Sequence, residues 1–152
     1  MAFLDFPSQL QVNVLDNEVN DAAQLGSFTM TDTTELKNIR TFLVKHGNAG
    51  GSEVLRLKLS LSNDVTRASI VSEDITLSEV STDEYFVGWF NFDFGRQQLD
   101  PDLTYFVFLE YENYTRNADT YYLAYAFDDV FFVNDFNASD DFGAVMQILG
   151  FR

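Results

Sequence analysis

Glu110 and Glu112 are the residues whose type and spacing come closest to a catalytic pair. Positions two apart on a strand share a face and lie about 6.5–7 Å apart. That falls within the roughly 5–9.5 Å separations of glycosidase carboxylates. Such pairs usually face each other across a cleft from separate strands, and nothing in the chain marks an opposing wall. A solvated acidic face is the preferred reading. His46 is the only histidine, so a Ser-His-Asp site would have to use it. It stands beside a glycine turn with no Gly-x-Ser-x-Gly element, and reads as a surface turn residue. One histidine and no cysteine argue against zinc.

Hard oxygen ligands gather near the C-terminus. Asp128, Asp129, Asp135, Asp140 and Asp141 are calcium candidates by ligand chemistry. Their spacing lacks the glycine and terminal glutamate of an EF-hand, so a solvated loop is preferred and no cofactor is expected. Trp89, Tyr114, Tyr121 and Tyr122 are candidate platforms for a glycan or contacts for a partner, since sugar rings dock on aromatic faces.

The elements that must position these residues are strands. From Tyr85 to Phe94 the even positions Phe86, Gly88, Phe90, Phe92 and Phe94 form a nearly unbroken apolar set, with Trp89 on the opposite parity. Period two belongs to a strand with one face in a core. Leu55, Leu57, Leu59 and Leu61 alternate with Arg56, Lys58 and Ser60, the mark of an antiparallel sheet wet on one side. Residues 36–45 are apolar at both parities, which predicts a central strand covered on both faces. Pro101 suits the second position of a type I turn. Ser72 to Ser81 fits either a strand followed by a bend, through Ile75, Leu77 and Val80, or one helical turn starting at Ser72, and the strand is the preferred reading.

Turn signals at intervals of about ten residues, and no convincing long helix, predict an all-β, antiparallel two-sheet β-sandwich. It is expected to be jelly-roll-like, with about eight to ten strands, in a single domain over residues 1–152. Residues 1–9 would form an N-terminal arm and 143–152 a C-terminal strand or arm. Phe3, Phe6 and Phe151 are the expected inter-subunit contacts.

Composition narrows the function. Hydrophobic residues are 46% and charged residues 22% of 152, enough for a core. A net charge of -15 would be repelled by nucleic acid and by an anionic membrane, so neither is an expected partner. There is no apolar run of spanning length and no basic n-region, hence no expected signal peptide.

Trp89, Phe92 and Phe94, followed by Leu99, Leu103, Tyr105, Val107 and Leu109, resemble a recurrent jelly-roll pattern: Trp-x-x-Phe-x-Phe, then Leu-x-x-Gly-x-x-Tyr-x-Leu-x-Leu. Asp102 stands where that pattern has glycine. Ile39, Leu43, Lys45 and Gly47 are similar to an earlier Ile-x-x-x-Leu-x-Lys-x-Gly segment. The resemblance spans roughly residues 35–126. It is to phage and prophage virion proteins (decoration, head-fibre, tail and receptor-binding components) and to carbohydrate-binding modules. It implies a non-enzymatic virion protein, made in the host cytoplasm, that contacts capsid or tail subunits and assembles as a homo-oligomer. The alternative is a carbohydrate-binding or host-receptor-binding module that takes a surface glycan.

Overall fold

A thirteen-residue strand, β3 (Thr34–His46), organises one of two sheets because its residues can be buried from both sides. A computed structural model describes residues 11–14, 22–30, 34–46, 53–76, 85–113, 122–127, 133–134, 138–142 and 146–151. One edge of β3 pairs with β7 (Tyr85–Leu99) along its full length. The other edge is shared, first by β12 (Met146–Phe151) and then by β9 (Tyr122–Phe127). β1 (Gln11–Val14) lies outside β9, and β10 (Val133–Asn134) runs parallel outside β12.

The second sheet has the order β11 (Ala138–Phe142), β2 (Ala22–Met30), β8 (Thr104–Glu112), β4 (Val54–Ser60). The outer edge of β4 is divided between β5 (Ile70–Val71) and β6 (Ile75–Thr76). The chain passes back and forth between sheets, giving β2-β8-β4-β5 in one and β1-(β9, β12)-β3-β7 in the other. That interleaved order is a jelly roll. The protein is an all-β antiparallel sandwich, as the alternation predicts. Twelve strands occur among the described residues, three of them two-residue segments (β5, β6 and β10). The ambiguous stretch holds β6, and the acidic stretch read as a loop holds β10 and β11.

The core is the meeting of the two inner faces. Ile39, Leu43, Phe90, Phe92, Met146 and Ile148 from the first sheet pack against Phe28, Leu55, Leu57, Leu59, Val107 and Leu109 from the second. Leu61 departs from the predicted row: β4 ends at Ser60, whose hydroxyl donates to the Asp64 carbonyl at 3.1 Å, and Leu61 is 54% exposed. The chain then passes through a 3-10 turn, Val65–Arg67, capped by the Asp64 carboxylate, which accepts from the Thr66 N–H and hydroxyl.

The C-terminal segment, expected as a strand or an arm, is a strand over Met146–Phe151, with Met146 and Ile148 completely buried in the chain's own core. The arm at residues 1–9, with Phe3 and Phe6, lies outside the described residues.

A second correction is the turn at Pro101. Asp102 has φ 64, and a positive φ after the proline belongs to a type II turn rather than type I. This explains why the resembled pattern has glycine at that place. The Tyr105 hydroxyl closes the turn by accepting the Asp100 N–H at 2.8 Å, while its ring stacks on Phe28.

β7 also carries a bulge. Three of its residues, Phe94 to Arg96, stand opposite the single Lys37 of β3. Gly95, at φ 70, makes the kink, and its N–H donates to the Asp93 carboxylate at 2.7 Å. The inward parity therefore switches from even (Phe90, Phe92) to odd (Leu99).

Core and turn can each be tested by urea denaturation. Phe90→Ala should lower unfolding free energy by about 3–5 kcal/mol, as expected for an emptied core position. Asp102→Gly should raise it by about 0.5–1 kcal/mol, because glycine removes the left-handed Cβ penalty at a modest entropic cost.

Candidate functional site

The outer face of the β4–β8 pair gathers the densest charge among the described residues. Register places Arg56 opposite Glu110, and Val54 opposite Glu112. Arg56 Nη1 donates to both Glu110 and Glu112 at 2.6 Å, and its Nε donates to Asp74 at 2.7 Å. The other oxygen of Glu110 meets Lys58 Nζ at 2.8 Å. Arg56 is 12% exposed and Glu110 18%, so this is a half-buried network of three carboxylates and two cations.

These contacts decide what the glutamate pair can do. The Arg56 hydrogen bond and charge hold the Glu112 carboxyl below its ordinary range. Arg56 in turn is held firmly protonated by its hydrogen bonds to Asp74 and Glu112, against the opposing effect of its burial. A glycosidase acid needs the opposite, a carboxyl raised so that it carries a proton near neutral pH. The acidic face is thus a salt-bridged brace between strands, with the Glu112 and Asp74 carboxylates still open to solvent. Sequence reasoning missed Arg56 because two of its three partners, Glu110 and Glu112, lie on a strand more than fifty residues away, and only the β4–β8 register joins them.

The outer face of the β3–β7 pair holds the second constellation. Phe42 and Trp89 are register partners, with ring centroids 5.3 Å apart and planes at 88°. Trp89 is half-buried, whereas Phe42 is buried, yet neither belongs to the inter-sheet core cluster. One and two places along the same face, Arg40 Nε donates to the Asn91 side-chain oxygen at 3.4 Å, and Asn38 donates to the same oxygen. An aromatic pair with a hydrogen-bonded polar flank is the result. The outward parity of Trp89 agrees with the sequence.

The remaining candidates are placed only by strand position or lie outside the described residues. Tyr114, Tyr121, Asp128, Asp129 and Asp135 lie outside the described residues. Tyr122 is the first residue of β9, opposite His46, which ends β3 and so belongs to a strand rather than to a turn. Asp140 and Asp141 occupy consecutive rungs of β11 opposite Phe28 and Ser27. Phe151 stands opposite Glu35 on β3. Among the described residues no group of three or more His, Cys, Asp or Glu is arranged to hold a metal, and no helix is long and apolar enough to cross a membrane.

Arg56→Gln should destabilise the fold at pH 7 by about 1–3 kcal/mol, between the values for exposed and buried ion pairs. Glu112 has a lowered folded pKa, so its contribution is present above the unfolded glutamate value and lost as pH falls through the folded one. Urea titrations should therefore show the gap between wild type and variant narrowing below about pH 4.

Comparison of the chain with protein-family models, with curated proteins and with solved structures finds no match.

Proposed function

We propose that the chain is a non-enzymatic module that acts through protein–protein contacts, as the decoration, cement and fibre-like components of tailed-phage virions do. The observation that carries this reading is the Trp89–Phe42 pair on the outward face of β7 and β3. Aromatic anchors flanked by satisfied polar groups are the usual energetic centre of a protein interface. Phe42 fixes the Trp89 ring edge-to-face, so little freedom is lost when a partner packs on it. The braced state of Glu110 and Glu112 supports the non-enzymatic part of the reading.

The jelly-roll sandwich is compatible with this role and with many others, so the role rests on the face and on the resemblance to virion proteins. A carbohydrate-binding or receptor-binding module is the second reading, favoured by the same tryptophan. The perpendicular packing of its ring against Phe42 suits a knob-like contact better than a broad flat sugar platform.

Trp89→Ala separates the readings. The wild-type chain should sediment with virion particles, and the variant should lose about tenfold or more of that binding while its unfolding midpoint stays close to wild type. Undiminished sedimentation of Trp89→Ala would sink the proposal. Glycan-array binding that disappears in the variant would favour the second reading.

A further inference from the structure

We infer that a cleft at one end of the sandwich is a socket for a single basic side chain, lysine or arginine, presented by a partner protein. The cleft lies between the turn after β4 and the β7–β8 turn, is lined by neither Trp89 nor Phe42, and does not depend on the reading of that face. Its volume is about 280 Å³. Leu59 and Tyr105, both buried, form its floor, and Leu61 and Leu103, 54% and 36% exposed, are apolar walls.

The polar lining is rich in acceptors. Asp100 contributes a carboxylate, and Gln97 and Gln98 contribute amides. Gln97 Nε2 donates to the Gln98 carbonyl at 3.1 Å, and Gln98 Nε2 reaches the Asp100 carboxylate at 3.5 Å. Each amide thus spends one N–H on a neighbouring acceptor of the same turn and keeps a side-chain oxygen able to accept from a ligand. Among the described residues no cation lines the cleft. A ligand that complements it is a multiple hydrogen-bond donor with positive charge, carried on an apolar stem. Lysine and arginine side chains have that build: methylenes for Leu61 and Leu103, and a charged head for Asp100. A chain with net charge -15 would also attract a basic partner.

A sugar fits less well. The one aromatic residue in the described lining, Tyr105, is 3% exposed, its ring stacked on Phe28 and its hydroxyl tied to the Asp100 N–H. It offers no open face for a pyranose. Two backbone features build the socket. The Gly95 bulge switches parity so that Gln97 shares the inward side with Leu99, and the Asp102 turn brings Leu103 round to the rim.

The test is an NMR titration of the full ¹⁵N-labelled chain with N-acetyl-arginine amide and N-acetyl-lysine amide. Either probe should produce saturable shifts, in the millimolar range expected for one isolated side chain, at the Gln97 and Gln98 side-chain amides and at Ser69 and Leu103. N-acetyl-norleucine amide should produce none. Asp100→Asn should abolish the response while keeping the backbone N–H that Tyr105 accepts. Ser69→Lys, which supplies a cation from the chain itself, should abolish it as well. The rest of each variant's spectrum reports whether it has folded, and either folded variant suffices. Equal shifts with norleucine or with glucose would overturn the assignment. So would an absence of saturable shifts with both basic probes up to about 50 mM, or an undiminished response in either folded variant.

Discussion

The double pairing of β3 is the constraint on which the rest of the molecule depends. Every residue from Thr34 to His46 stands in a ladder with β7, apart from Lys37 at the bulge, and the other edge is occupied by β12 and β9. A strand paired on both edges and covered on both faces has no solvent to satisfy a misplaced group. That explains its mixed sequence: Ile39 and Leu43 fill the core, while Phe42 and Val44 are buried outside it. Lys45 and Asn38 are buried too, at 2% and 4% exposure, so this strand carries polar groups deep into the molecule. The Thr41 hydroxyl is completely buried and has no hydrogen-bond partner among the described residues, a local cost the surrounding apolar packing must outweigh.

The two outer faces have different physical characters. On the β4–β8 side, each charge is paired within the chain, since Arg56 and Lys58 meet Glu110, Glu112 and Asp74, leaving a net charge of one carboxylate. Such a network fixes register, because sliding β4 by one residue would turn Arg56 into the core and Leu57 out of it. On the β3–β7 side the aromatic pair leaves a half-buried indole at the surface. One face is closed by its own salt bridges. The other carries the aromatic contact on which the proposed interface rests.

Much of this was legible in the residues, and the illegible parts share a cause. Alternation at Leu55, Leu57 and Leu59, and at Phe90 and Phe92, identifies the inward faces because a strand has only two sides. The same logic sets Trp89 outward. Leu61 defeats it because the strand stops one residue earlier, where a serine hydroxyl turns to the backbone. Gln97 and Leu99 defeat it because the bulge at Gly95 resets the count, and one glycine in a strand does not reveal how many residues it adds. Asp102 occupies a glycine conformation that aspartate tolerates, so residue type alone points to the wrong turn. The Arg56 network and the terminal cleft depend on which distant segments become neighbours, information that no local period contains.

The outer edge of β4 shows how one edge of the sandwich is closed to a further strand. A sheet edge with free N–H and carbonyl groups invites a strand from another molecule. Here that edge is met by two short pieces, β5 and β6, and between them Ser72 takes a rung by itself. Its Oγ accepts the Leu57 N–H at 2.9 Å, and its own N–H donates to the Leu57 carbonyl at 2.9 Å. One residue thus satisfies a backbone position with a side chain on one side and a main-chain group on the other. The next N–H, that of Glu73, turns away to the Asp93 carbonyl of the opposite sheet at 2.8 Å. An incoming strand would find this edge of β4 broken in direction and already saturated, so the sheet ends there by its own hydrogen bonds and not by a row of open ones.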